Sequence, residues 1–214
     1  MQQDDYRDLY KKMNKNWNDS VSLYKAEIAP LINKNMVVLE AGCGFSNLFT
    51  DQYEKAKKVI GVDISQEYLN ANTTLEHKVL APLEDMPQIP TGSIDLVVSS
   101  WVLEHIQNSQ KAFSEISRVL KPGGKFVFLT PNEFNYVVII NKILPVTLRN
   151  KLSKKLTENL TVDPMPATYQ ANNVFKINIL AKKNGLRKIK LILNGDPTYL
   201  AISRIFFYIG ITFE

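Results

Sequence analysis

The stretch Val38-Leu39-Glu40-Ala41-Gly42-Cys43-Gly44-Phe45-Ser46 carries an apolar run into a glycine-rich bend. A second run, Val59-Ile60-Gly61-Val62-Asp63, follows it and ends in a carboxylate. Runs that are apolar along nearly their whole length suit strands buried on both faces, so the sheet they build is expected to be largely parallel. The same texture recurs at Ile94-Asp95-Leu96-Val97-Val98 and at Lys125-Phe126-Val127-Phe128-Leu129, with a weaker strand at Lys78 to Ala81. Between the runs, residues 47–57, 66–75 and 109–120 have helical length and period. Strand alternating with helix predicts a doubly wound, Rossmann-like α/β fold.

Upstream, residues 4–33 read as one or two helices, the second capped by Asp19 or Ser20. Downstream of the fifth strand the rhythm breaks. An aromatic and aliphatic run, Phe134 to Leu144, is followed by a basic one, Arg149 to Leu156, and by the loop Asp163-Pro164-Met165-Pro166. That is too long for a simple connection, so it is expected to form a helical lid or a partner surface. A helix over Asn172 to Asn184, a stop at Gly185, a strand over Lys188 to Leu193 and an aromatic, helical tail complete the chain; no seventh strand is legible after Asn194. The expected organisation is one domain over 1–214: an N-terminal helical cap (1–34), a core (35–131), a lid insertion (132–172) and a C-terminal helix, strand and tail (173–214).

Composition narrows the class. Cys43 is the lone cysteine, which excludes a disulfide scaffold and fits a reducing compartment or indifference to redox state; a cytoplasmic location is expected. Met1 to Asp8 is polar and acidic, unlike a signal peptide. No apolar run reaches the roughly 20 residues of a membrane span; Tyr199 to Phe213 is interrupted by Ser203 and Arg204. The net charge of +5 suits a Lys- and Asn-rich proteome better than nucleic-acid binding, for which no recognition module is visible.

The bend after the first strand lies where open α/β sheets bind ligands. Its glycines let a ligand approach the backbone. Asp63, at the tip of the neighbouring strand, suits the two hydroxyls of a ribose, with capping of the next helix as the structural alternative. Glu40 separates the possible ligands. A carboxylate two residues before the first glycine repels a pyrophosphate, which disfavours a nicotinamide-dependent oxidoreductase, and it welcomes an ammonium. S-adenosylmethionine has a ribose, an adenine and an amino-acid end, and no phosphate.

Val38 to Gly44 resembles the first motif of class I S-adenosylmethionine-dependent methyltransferases, and Val59 to Asp63 their ribose-binding strand. Met86-Pro87, Ser93 to Val98 and Val102-Leu103-Glu104-His105-Ile106 are similar to the small-molecule type 11 group, and Leu120 to Lys125 to the turn before its fifth strand. The resemblance spans about residues 36 to 130. It implies a seven-stranded sheet whose last strand is antiparallel, with S-adenosyl-L-homocysteine as the product of the cofactor. It implies cofactor contacts from Glu40, Gly42, Cys43, Gly44 and Asp63, adenine packing near Ile64 and Leu83, and methionine contacts from the loop after Val98, near Ser99 and Trp101. Pro82 stands where many members carry an acid that reads adenine, leaving Glu84, Asp85, a backbone carbonyl or water for that task.

His105 is the candidate catalytic base, since imidazole titrates near neutrality; the competing reading has Glu104-His105 start or cap a helix and only shape the cofactor pocket. Trp101 stands where some quinone-type O-methyltransferases carry a metal-binding Glu, so no metal is expected. Tyr6, Tyr10, Trp17 and Tyr169 suit either a substrate pocket or ordinary packing. The expected partner is a small-molecule acceptor, lipid-like or a natural-product intermediate. Residues 134–156 suit peripheral membrane contact, or a helix whose apolar face covers the site. A non-catalytic, methyltransferase-like binding module is the alternative.

Overall fold

The structure, a computed structural model, describes residues 3–143, 166–201 and 203–212; the basic run at 149–156 and most of the proline-rich loop lie outside them. The strands are β1 (Val37–Ala41), β2 (Lys58–Asp63), β3 (His77–Leu80), β4 (Ile94–Ser100) and β5 (Leu120–Leu129). The described helices are α1 (Gln3–Met13), α2 (Ser20–Ile28), α3 (Thr50–Tyr53), α4 (Gln66–Ala71), α5 (Ser109–Val119), α6 (Tyr136–Ile143), α7 (Val174–Lys183) and α8 (Arg204–Thr212). The chain forms two compact units: Tyr24–Pro131 with Pro166–Lys190, and the described residues of 1–23, 132–165 and 191–214.

In the first unit all five strands run parallel in the order β3-β2-β1-β4-β5. Alternation along the strands feeds two cores. Val38, Leu96 and Val98 join Tyr24, Ile28, Phe49, Tyr53 and Leu69 on one side. Leu39, Ala41, Val62 and Val97 join Phe113, Ile116 and Leu180 on the other. Burial on both faces is why these runs lack polar alternation.

Helix starts follow their capping residues. Ser65, Asn108 and Asn173 accept the backbone N–H of Tyr68, Lys111 and Lys176 at the starts of α4, α5 and α7. Asp19, the expected cap of α2, accepts from the backbone N–H of Ser22 at 2.9 Å. The Lys121-Pro122-Gly123-Gly124 turn is taken up within β5 as an irregularity: Ile94 pairs with Leu120 but Leu96 with Lys125. Gly123 has φ +79°, which a glycine reaches without strain.

Three expectations are corrected. The helix expected over 47–57 is a single turn, α3, because Phe49 turns into the core and Asn47 is held by the Asn72 side chain at 2.7 Å. The strand expected at Lys188 to Leu193 is not formed. Ile189, Leu191 and Leu193, the apolar face such a strand would bury, stay exposed, and none of the strands among the described residues pairs with them. The sheet therefore has five strands among the described residues rather than seven.

In the second unit, the Tyr6 and Phe207 rings pack 5.0 Å apart and the Tyr10 ring meets Trp17 edge-on. Trp17 Nε1 donates to the Gly195 carbonyl at 2.7 Å, and Arg7 pairs with the buried Asp196 carboxylate at 3.3 Å. Tyr6, Tyr10 and Trp17 thus serve packing between α1 and the C-terminal tail. Among the described residues no helix is long and apolar enough to cross a membrane.

Candidate active site

The bend after β1 begins when β1 and β2 run out of register partners. Gly42 and Cys43 both donate their N–H to the Val62 carbonyl, at 2.8 and 3.0 Å. Gly42 and Gly44 sit at φ +75° and +54°, where side-chain-bearing residues are strained. Gly42 is sterically required as well: a Cβ there would lie 2.3 Å from Val102 Cγ2. Around Gly44 a Cβ would meet nothing within 4 Å, so the bend is open on that side.

The two carboxylates share a face of the sheet. Glu40 pairs with Gly61, and Asp63 lies two residues on from Gly61 along β2, hence on the same side. Gly61 leaves the room between them that Cys43 fills; a Cβ on Gly61 would fall 2.7 Å from Cys43 Sγ. Burial, with the charges of Glu40 and Asp63, pushes the Cys43 thiol up to about 12, so it is an inert filler at neutral pH.

The surroundings of the two acids differ. Asp63 is half-buried and engaged: Oδ2 accepts from Gly44 N–H and Oδ1 from Ser65 N–H, both at 2.8 Å. Each oxygen keeps a second lone pair. Glu40 is 6% exposed, and its Oε2 has no hydrogen-bond partner. Burial pushes its pKa up to about 8; the neighbouring Tyr53 hydroxyl offsets part of that rise, but neither it nor Glu40 Oε2 completes a hydrogen bond. A buried, unpartnered carboxylate in a glycine bend fits a cationic ligand group.

The other expected site residues divide. Ile64, beyond Asp63, is 60% exposed, whereas Leu83 is buried in the core. Glu84 Oε1 accepts from the N–H groups of Gln107 and Asn108, at 3.1 and 3.2 Å, just before α5. Ser99 lies in β4 rather than in the loop after it, and its hydroxyl donates to the Ala41 carbonyl at 2.9 Å. It clamps β4 to β1 under the bend. Trp101 follows the strand at φ +57°, a strained backbone for a bulky residue. Glu104 and His105 do not start a helix: Val102 to His105 is a turn closed by His105 N–H to the Val102 carbonyl at 2.9 Å. His105 Nδ1 lies 3.4 Å from the Pro166 carbonyl. Tyr169, a residue weighed for the pocket, also takes positive φ, +52°.

Several residues that shape this region carry no signal in local spacing. Asn72, at the end of α4, donates to the Gly44 carbonyl at 3.2 Å as well as to Asn47. Tyr53 sits beside Glu40, and Val102 closes over Gly42. Their roles depend on contacts across elements.

A parallel sheet of this order, with a glycine bend after β1 and an acid ending β2, is the Rossmann-like arrangement that the resemblance to class I S-adenosylmethionine-dependent methyltransferases implies. Residues 39–128 match the type 11 methyltransferase domain family. A probable S-adenosylmethionine-dependent methyltransferase of Mycolicibacterium smegmatis is 36% identical over 108 residues, 46% of this chain and 39% of that protein. A human thiol S-methyltransferase is 35% identical over 102 residues, 44% of this chain and 41% of that protein. The chain thus spans about two fifths of the length of these relatives. The YcgJ protein of Bacillus subtilis has a similar fold, with a TM-score of 0.55 at 16% identity, covering 76% of this chain and 68% of that one.

Proposed function

We propose that this chain transfers the methyl group of S-adenosylmethionine to a small-molecule acceptor. The observation that carries the reading is Glu40: a buried carboxylate with an unpartnered oxygen, on the same sheet face as Asp63, beside a bend open at Gly44. In this reading Glu40 takes the ammonium of the amino-acid end, and Gly42, Cys43 and Gly44 let the ligand lie against the backbone. The remaining lone pairs of Asp63 accept the ribose hydroxyls. Exposed Ile64 offers its side chain to the adenine, while Leu83 supports that wall from the core. Ser99 acts through the strand clamp, and Trp101 holds the exit of β4 at the methionine end.

When bound, S-adenosylmethionine supplies a methyl group on a sulfonium, an already activated leaving group. The protein's task is therefore mainly alignment. An acceptor whose nucleophilic atom carries a proton also needs a base, and His105 is assigned that role. The Pro166 carbonyl can only accept a hydrogen bond, so it favours the neutral ring protonated on Nδ1. A thiol acceptor is consistent with the human relative. In the second unit, Phe134, Ile139 and Ile143 are exposed, which supports contact with lipid or a lipid-like molecule through α6.

The test is calorimetric titration with S-adenosylmethionine, followed by an assay for S-adenosylhomocysteine with a panel of small thiols and hydroxyl compounds. Binding without turnover on any acceptor would favour a non-catalytic module. No heat at tens of micromolar protein would remove the reading altogether.

A further inference from the structure

The turn bearing His105 is held by a ring of hydrogen bonds that closes far along the chain. At the carboxyl end of β5, the Thr130 hydroxyl donates to Glu104 Oε2 at 3.2 Å and accepts from Asn172 Nδ2 at 2.6 Å. Asn172 Nδ2 also reaches the Pro131 carbonyl at 3.2 Å. From Asn172 the chain runs back three residues to Tyr169, whose N–H, with that of Thr168, donates to the Glu104 carbonyl, at 3.2 and 2.6 Å. The Thr168 hydroxyl meets the Ile106 carbonyl at 2.7 Å. The circuit therefore leaves Glu104 by its side chain and returns to it by its backbone.

Its members are costly to keep together. Glu104 is buried, and Asn172 is 1% exposed with Oδ1 lacking any partner. An unmet buried acceptor keeps its full desolvation cost. Trp101 and Tyr169, the non-glycine residues at positive φ among those described, flank the turn and its clasp. Strain and unmet polar groups collected in one place are features that a fold retains for geometry rather than for stability.

We propose that Asn172, acting through Thr130 and Glu104, is a positioning residue that fixes the Val102–His105 turn and with it the orientation of the His105 ring. The inference rests on the reading of His105 as the base. The mechanical part has its own readout, since the clasp of Thr168 and Tyr169 on Glu104 also holds the segment of Pro166, whose carbonyl faces His105 Nδ1, whether or not an acceptor is present. The residues of the glycine bend make none of the circuit's hydrogen bonds and meet the turn through Val102 against Gly42, so the larger effect falls on acceptor turnover and the smaller on cofactor binding.

His77 and His105 are the two histidines of the chain, so a His77→Gln background isolates one imidazole for nitrogen NMR. In that background the neutral His105 ring is expected to be protonated on Nδ1. Asn172→Ala is expected to give a mixture of tautomers. It should lower kcat, with dithiothreitol as the probe acceptor, by at least about tenfold. The Kd for S-adenosylmethionine should stay within about twofold, as measured by calorimetry. Thr130→Val, which keeps the shape and removes the hydroxyl, should do the same, and Thr130→Ser should restore the wild-type spectrum. An unchanged tautomer in both Asn172→Ala and Thr130→Val overturns the proposal. If His105→Gln turns over dithiothreitol as fast as wild type while the tautomer still shifts in Asn172→Ala, the base assignment fails and the positioning role stands.

Discussion

At the glycine bend, the polar contacts of Asp63 join residues close in sequence: Gly44 to Asp63 spans 19 positions and Ser65 to Asp63 spans 2, with Asn72 and Ser99 adding support across 28 and 58. Around Glu104 polar contacts reach 26 positions to Thr130 and 62 from Thr168 to Ile106, and Asn172 closes on Thr130 across 42. The carboxylate that ends β2 is thus tied to the bend by its neighbours in the chain. The turn bearing Glu104 and His105 is held by segments that meet only once the sheet has formed. The difference teaches that one region can be read as a short motif, while the other is legible only from contacts between distant segments.

The sharpest way to break this contrast is at Gly42. Gly42→Ala puts a Cβ against Val102 and asks alanine to hold φ +75°. Overpacking and backbone strain each cost about 1–3 kcal/mol. A loss near 3 kcal/mol in urea unfolding is expected, with cofactor binding lost as the bend moves. A near-neutral result would mean that the bend yields readily and that its geometry is not the constraint. Asp63→Ala comes next. It strips the acceptor from two backbone N–H groups and from the ribose together, and charge-assisted hydrogen bonds contribute about 1.5–3 kcal/mol each. Affinity for S-adenosylmethionine should fall by about tenfold or more in a titration; unchanged affinity would confine Asp63 to holding the loop.

The same contrast explains what could be read from residues alone. β1, β2 and β4 were legible because burial writes itself as a nearly unbroken apolar run, whereas the largely exposed β3 gave only a weak signal. The bend, Glu40 and Asp63 were legible because all of them lie at the ends of two apolar strands close in sequence. Lys188 to Leu193 misled: its apolar side chains read as a strand, yet a strand exists only with a neighbour to pair with. Ser99 was expected in the loop after β4, but its hydroxyl extends the sheet instead by tying down the Ala41 carbonyl. Asn172 and Thr130 could not be found by spacing, because their meaning lies in a contact between chain segments 42 residues apart. Tyr53 escaped for a similar reason, since an aromatic on one turn of helix reads as core, which by most of its surface it is.

Glu40 gives a smaller effect with a definite sign. In an unfolded chain its carboxyl titrates near 4.5; in the fold, burial raises it to about 8. Between those values the native state holds a proton that the unfolded state has lost, so the ligand-free protein loses stability as pH rises from about 4.5 to about 8. Glu40→Gln should flatten that slope in unfolding experiments at several pH values. An arriving ammonium favours the ionised carboxylate, so binding near pH 7 should release up to about one proton. Calorimetry in buffers of different ionisation enthalpy measures that release. Its absence in wild type, or its persistence in Glu40→Gln, would move the ammonium elsewhere.

The smallest expected effect concerns adenine. Glu84 stands close to the position that Pro82 vacates as an adenine reader, yet its Oε1 is committed to the N–H groups of Gln107 and Asn108 ahead of α5. That arrangement makes Glu84 a support for the start of α5. Glu84→Ala should then lower stability by about 1 kcal/mol, in the range of a lost helix-end contact. Affinity for S-adenosylmethionine should stay within about twofold. If affinity fell tenfold while stability held, Glu84 would belong to the ligand, and the cofactor region would extend across the chain just as the contacts around Glu104 do. The two regions would then no longer differ in kind, which is why this modest substitution bears directly on the contrast.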